Sequence, residues 1–375
     1  MAHEELKEKI EELEKELSTT KVNKRTEGAV GLLKAKIAKL KEELENKLSK
    51  GGGKGEGFAV KKEGDATIGL LGKPSVGKST LLSKITNKES KIGAYEFTTL
   101  DCVPGLLHYK FTNLQILDLP GIIDRASDNR GFGKKVLSVV RACDLVVLVI
   151  DALHTHEEIE MLLKETYRAG IRFNQEKPDI TINRMSSGGI TIPLNNSSEV
   201  ITKELIEKVL NDMKYTNAEI IIHEKNLSQE DFIDACYGNL EYKKAIICIN
   251  KIDLYKPEEL ILIIKSIKKK YANFPLFGIS ASSNINLERF KDFAWRQLGF
   301  IWIYLKESKK EPDFQRPLVL MRGNTISKVC EKIHKDLLKK FKYAKIKGKS
   351  AKFEWQRVGL DHIVEDEDIV EIYAR

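Results

Sequence analysis

Residues Gly72-Lys73-Pro74-Ser75-Val76-Gly77-Lys78-Ser79-Thr80 fit the spacing G-x-x-x-x-G-K-[ST]. The chemistry of that spacing is the holding of a polyphosphate. Glycines let a backbone wrap an anion with its N–H groups turned inward. A helix that starts there adds the partial positive charge of its N-terminus. Lys78 can reach β- and γ-phosphates, and the Ser79 hydroxyl can ligate Mg²⁺. The loop stands between the apolar run ATIGLL and the helical stretch STLLSKIT, the strand and helix that the motif needs.

Further short motifs follow in order. Asp118, in LDLPG, ends an apolar run about 40 residues after Lys78 and can hold Mg²⁺ through a water. The Gly121 N–H can sense a γ-phosphate. Taken alone, D-x-x-G is an ordinary strand-ending turn. Between the two motifs lies YEFTTL, where Thr98 or Thr99 can close on Mg²⁺ and γ-phosphate, with Thr99 the favoured candidate. Asn250-Lys251-Ile252-Asp253 is N-K-x-D after the run AIICI. An aspartate carboxylate only accepts hydrogen bonds. Guanine offers N1–H and a 2-amino group side by side, whereas adenine would leave the charge unpaired, so adenine should be rejected strongly. The Lys251 stem can lie along the base. Ser280-Ala281-Ser282 is the matching S-A-x turn, and the Ala281 N–H is expected to contact guanine O6. The order is that of a guanine-nucleotide switch. No acid–base or nucleophilic catalyst is evident, so catalysis rests on positioning water and stabilising charge.

These motifs need a scaffold. Apolar runs at 66–71, 105–111, 114–118, 145–150, 245–249 and 276–279 alternate with helical stretches near 78–87, 130–141, 155–168, 257–271 and 286–298. Alternation predicts an α/β fold with a mostly parallel sheet. LVVLVI and AIICI are apolar on both faces, as buried parallel strands are. One crossover needs about 30 residues, yet about 95 separate Asp151 from the run at 245. The surplus reads as an inserted α+β subdomain, with ITINRMSSGGITIPL a hairpin turning at Gly188-Gly189, then a helix and the strand AEIIIH. Leu6, Ile10, Leu13 and Leu17, and then Leu33, Ile37, Leu40, Leu44 and Leu48, recur at helical spacing. They predict an N-terminal helical hairpin broken near residues 18–20 and 28–31. A Gly-rich linker closes it. The expected division is 1–57 hairpin and linker, 58–170 nucleotide domain first part, 171–238 insert, 239–312 nucleotide domain second part, and 313–375 a β-α-β-β unit with one helix over 326–340.

Composition bounds the rest. The 375 residues carry 63 Lys+Arg against 55 Asp+Glu, a net +8 that permits an RNA partner without requiring one. The five cysteines form no C-x-x-C pair, which fits a reducing compartment. No apolar run approaches a membrane span, and no secretory signal is visible.

YEFTTLDCVPG and DLPGIIDRASDNRGFGKKVLSVVRACDLVVLVID resemble the developmentally regulated GTP-binding protein (DRG) family of the Obg-related, translation-factor-related GTPases. FKYAKIKG and QRVGLDHIVEDEDIVEI resemble its TGS domain, a ubiquitin-like β-grasp module. The resemblance covers nearly the whole chain. It implies a P-loop GTPase domain, a ribosomal-protein-S5-like insert, and a cytoplasmic protein linked to ribosomes or translation. It implies slow intrinsic turnover with Mg²⁺ and, in eukaryotic relatives, a dedicated stabilising partner protein. Neither membrane nor DNA is an expected partner. Ile122 stands where Ras-like proteins carry a water-positioning Gln. Ser75 stands where potassium-activated relatives often have Asn, so K⁺ remains a candidate cation without support from that residue. The rival readings are a ribosome- or RNA-binding module that uses GTP as a conformational lock, an ATPase, and a scaffold assembled through the N-terminal helices.

Overall fold

The structure is a computed structural model. It describes residues 2–20, 29–33, 36–37, 40, 64–86, 103–119, 139–193, 201–224, 227–238, 240–307 and 310–374. Thr98, Thr99, Gly121, Ile122 and the Gly-rich linker lie outside the described residues. The chain forms two compact units, Met1–Gly57 with Gly170–Tyr242, and Phe58–Ala169 with Lys243–Arg375.

The larger unit is built on a six-stranded sheet. Its order is Leu276–Gly278, Ala245–Asn250, Leu145–Asp151, Ala66–Leu71, Thr112–Asp118, Val103–Tyr109. All neighbours are parallel except the last pair, an antiparallel hairpin. Leu145–Asp151, Ala66–Leu71 and Ala245–Asn250 are buried along their whole length. This is the double-sided burial that a parallel sheet flanked by crossovers requires. Ile68, Leu70, Val147 and Val149 share one apolar cluster with Leu81 and Leu82 of helix Lys78–Ile85 and with Phe290 and Ala294 of helix Leu287–Leu298. The strand ends therefore bring residues 72, 118, 151 and 250 together at the carboxyl edge of the sheet, where α/β folds place their ligands.

The same unit carries a second sheet of five strands, ordered Leu318–Met321, Phe300–Leu305, Asp368–Ala374, Phe341–Lys347, Gln356–Val358. The sequence reading begins this module at 313 and so leaves out Phe300–Leu305. The omission has a physical reason. FIWIYL sits at a junction, with Ile301 and Ile303 in the core of the second sheet. Phe300 and Trp302 pack instead with the nucleotide-domain cluster. A strand that is apolar on both faces shows no alternation to read. Lys332 ties the two sheets further, donating to Asp65 Oδ1 at 2.5 Å and to the Val319 carbonyl at 2.6 Å. The helix expected over 326–340 is two, Ile326–Ile333 and Lys335–Lys340, separated by His334 in extended conformation. The His334 Nδ1 accepts from the Asp336 N–H and caps the second helix.

In the smaller unit, Ile180–Arg184 and Ile190–Thr191 do not form the expected hairpin. Ala218–Ile222 lies between them, antiparallel to the first and parallel to the second. Its alternating burial, with Ala218, Ile220 and Ile222 inward, makes it the better centre. Asn217 secures the arrangement. Its side chain accepts from the Gly189 N–H at 2.8 Å, and its carbonyl accepts from the Met185 N–H at 3.0 Å. Gly31, expected at a break, is helical, and a Cβ there would lie 3.0 Å from Ile233 Cδ1. Leu32 belongs to the apolar cluster of the insert, so this helical segment packs on the insert rather than standing free.

Within that unit Arg172 bonds Asp234 at 3.3 Å. Burial pushes the Asp234 carboxyl up to about 6, against the pull of Arg172 and with help from Glu230 and Asp231. The folded chain therefore holds a proton there at a pH where an unfolded aspartate has lost it. That contribution stabilises the fold in acid and fades as pH rises from about 4 to about 6. The stability of the protein relative to its Asp234→Asn variant should fall between pH 4.5 and pH 7 in denaturant unfolding. A difference that stays constant over that range refutes the assignment.

Candidate functional site

The Gly-rich turn follows Leu71 directly. Gly72 has no room for a side chain, since a Cβ would lie 2.3 Å from the Val149 carbonyl oxygen. Gly77 has φ +95°, and a Cβ there would lie 2.4 Å from Asn250 Nδ2. Ser75 is also left-handed, at φ 63°. Alternation of left- and right-handed residues is the backbone geometry that turns successive N–H groups inward. Pro74, Ser75, Ser79 and Thr80 are exposed, while Val76 is buried beneath the turn. Lys78 is buried, and its ammonium donates to the carbonyls of Gly72 at 3.0 Å and Lys73 at 2.9 Å. Its charge is thus fixed across the mouth of the loop. The Lys73 side chain turns away to Glu157, at 3.4 Å.

Ser79 Oγ donates to Asp118 Oδ2 at 2.6 Å. Asp118 Oδ1 is buried and has no hydrogen-bond partner among the described residues. A hydroxyl beside a carboxylate with an unmatched oxygen is a hard-oxygen donor set, and it fits Mg²⁺.

Asn250 is buried and joins the loops. Its Nδ2 donates to the Val76 carbonyl at 2.8 Å, and its Oδ1 accepts from the Ala281 N–H at 3.0 Å. Asn250 thus ties the two loops to each other, and the Ala281 N–H, expected to contact guanine O6, donates to Asn250 in this structure. Asp253 is exposed, and its carboxylate accepts from Ser283 Oγ at 3.1 Å. A hydrogen bond from Ser280, seconded by Ser283, lowers its pKa and keeps it an acceptor. Lys251 is left-handed at φ 64°, and its ammonium meets Asp151 Oδ2 at 2.6 Å. Sequence reasoning missed Ser283, Asp151 and Glu158. The only hint was an aspartate closing LVVLVID.

A family model described as 50S ribosome-binding GTPase matches residues 67–184, one described as the C-terminal region of that domain matches 187–300, and the TGS domain matches 301–374. An uncharacterized GTP-binding protein of Methanocaldococcus jannaschii is 47% identical over 99% of this chain and 93% of its own. Developmentally-regulated GTP-binding protein 2 of Mus musculus is 40% identical over 98% of this chain and 99% of its own. The chain belongs to the developmentally-regulated GTP-binding protein family. As a DRG-family member it is a GTP-binding GTPase with a C-terminal TGS domain. Among solved structures, the Schizosaccharomyces pombe YchF GTPase aligns over 84% of this chain and 100% of its own, at 16% identity and a TM-score of 0.46. The TGS match begins at 301, within the strand that the 313 boundary excluded. Among the described residues no helix is long and apolar enough to cross a membrane.

Proposed function

We propose that this chain is a slow, Mg²⁺-dependent GTP switch that acts on ribosomes. The bridge made by Asn250 carries the reading. It holds the phosphate-type loop at Val76 and the S-A-x turn at Ala281 in one fixed relation, so one nucleotide can engage both. In this reading the backbone of Gly72–Gly77 and the Lys78 ammonium hold the phosphates. Asp253 accepts from the guanine edge, and the Lys251 stem lies along the base. Ser79 and Asp118, with Thr99 or Thr98, are the residues that would hold Mg²⁺, Asp118 through water. Bound Mg²⁺ neutralises charge on the β- and γ-phosphates.

Gly121 and Thr99 serve as γ-phosphate sensors. With Ile122 at the glutamine position, turnover should lie well below one per second, since Ras-like proteins reach only roughly 10⁻⁴ to 10⁻³ per second even with Gln. The missing charge stabilisation would come from K⁺, from the ribosome or from a stabilising partner protein. The ribosome is named because the matching family model carries that description. The lysines of 335–352 and those within residues 34–50 of the sequence supply charge for phosphate contacts. Residues 171–238 would act as an accessory module, and the cytoplasm as the site of action.

Ribosome co-sedimentation in GDP and in a non-hydrolysable GTP analogue tests the proposal, alongside multiple-turnover phosphate release in K⁺ and in Na⁺. Sedimentation should favour the analogue and fall steeply with salt, and ribosomes or K⁺ should speed turnover. Nucleotide-independent sedimentation with no phosphate release under any condition would replace the switch by a nucleotide-locked binding module. Rapid unaided turnover in Na⁺ would show a catalytic group not identified above.

A further inference from the structure

Beside the nucleotide-type loops runs a chain of charged side chains, two of which, Asp151 and Glu158, lie in no motif. Asp151 ends the central strand Leu145–Asp151, and its Oδ2 meets the Lys251 ammonium at 2.6 Å. Its other oxygen accepts from the Leu153 N–H at 3.0 Å, which fixes the carboxylate on its own backbone. The Asp151 N–H in turn donates to Glu158 Oε2 at 2.9 Å. Glu158 Oε1 lies 4.0 Å from the ammonium of Lys73 in the Gly-rich turn. Asp151 and Glu158 are both buried.

The two carboxyls differ in kind. Burial works to raise the Asp151 pKa, but the bonds from Lys251 and Leu153 outweigh it and hold the group below the usual range. For Glu158 burial prevails and the pKa rises. Asp151 therefore meets Lys251 as a stabilised carboxylate, and Glu158 supports it by accepting from the Asp151 N–H.

Lys251 needs such a partner. It sits in a left-handed backbone conformation, on a long stem whose rotamers cost entropy to fix. A cation beside a fixed carboxylate loses that freedom before any ligand arrives.

We propose that Asp151 is a positioning residue for guanine-nucleotide binding, holding the Lys251 stem in the orientation in which it covers the base. The proposal rests on the reading of Lys251 as the residue that lies along the base. Because Lys251 covers the base face without touching its edge, Asp151 should act alike on every base held there. It should set how long a nucleotide stays and leave alone which base is chosen.

The test is a double-mutant cycle on the full chain, read as GDP dissociation with a fluorescent GDP analogue. Asp151→Asn keeps the acceptor for the Leu153 N–H and loses the charge. It should speed GDP release about tenfold, the loss expected for one charge-assisted hydrogen bond. Inosine and xanthosine diphosphates should weaken by the same factor. In a Lys251→Ala background, Asp151→Asn should add nothing. Additive losses, or a change in base preference, would overturn the proposal while leaving the Lys251 reading intact. A Lys251→Ala variant that releases GDP at the unmutated rate would overturn both. Thermal unfolding of the nucleotide-free proteins completes the test. Equal melting of Asp151→Asn and unmutated protein supports the proposal, and a loss of stability that accounts for the faster release refutes it.

Discussion

Lys78→Ala is expected to abolish GTP hydrolysis and to weaken GTP binding roughly a hundredfold or more, the worth of two charge-assisted hydrogen bonds. Lys78 is buried and spans the loop between the Gly72 and Lys73 carbonyls. Its ammonium therefore enters the site with its direction already fixed, and no reorganisation is needed when phosphate charge develops. Truncation removes that charge and also leaves two carbonyls of a tight turn without their donor. The γ-phosphate carries most of the charge that Lys78 meets, so GTP should suffer more than GDP. Calorimetric titration of both nucleotides, with and without chelation of Mg²⁺, checks this. Affinity that is unchanged in the variant and indifferent to chelation would contradict both the Lys78 and the Ser79–Asp118 assignments. Circular dichroism of the variant guards against simple unfolding.

The loops were legible because each is contiguous. The Gly-rich turn, the Asp118 turn, N-K-x-D and S-A-x declare themselves within a few residues, and the double-sided apolar runs before them declare a parallel sheet. The connections between the loops were not legible. Asn250 reaches Val76 and Ala281, and Lys251 reaches Asp151, across long stretches of chain that only the folded sheet brings together. No local pattern marks Asp151 or Glu158 as anything but a strand end and a helix surface. The same limit explains the errors in the fold. Gly188-Gly189 looks like a hairpin turn until Ala218–Ile222 arrives from later in the chain and takes the middle place. Phe300–Leu305 shows no alternation because each of its faces belongs to a different core.

Asp253→Asn should exchange guanine for xanthine. The Asp253 carboxylate is held by Ser280 and Ser283 and kept ionised below the usual range. It presents acceptors and no donor, which matches guanine N1–H and the 2-amino group. An asparagine in the same place keeps one acceptor for N1–H and turns an N–H donor toward the neighbouring position. Against guanine this sets donor on donor, and GTP affinity should fall by about two powers of ten, as when a buried polar partner is lost. Xanthine carries an oxygen where guanine has the amino group, so the new donor is matched and xanthosine triphosphate should gain. ATP should bind poorly to the unmutated protein, because adenine offers neither donor to Asp253. Competition of the three triphosphates against a fluorescent GDP analogue reads all of this in one assay. Equal competition by ATP and GTP in the unmutated protein would remove guanine reading from Asp253. A variant that loses GTP without gaining xanthosine triphosphate would show that Asp253 supports the loop through Ser283 without touching the base.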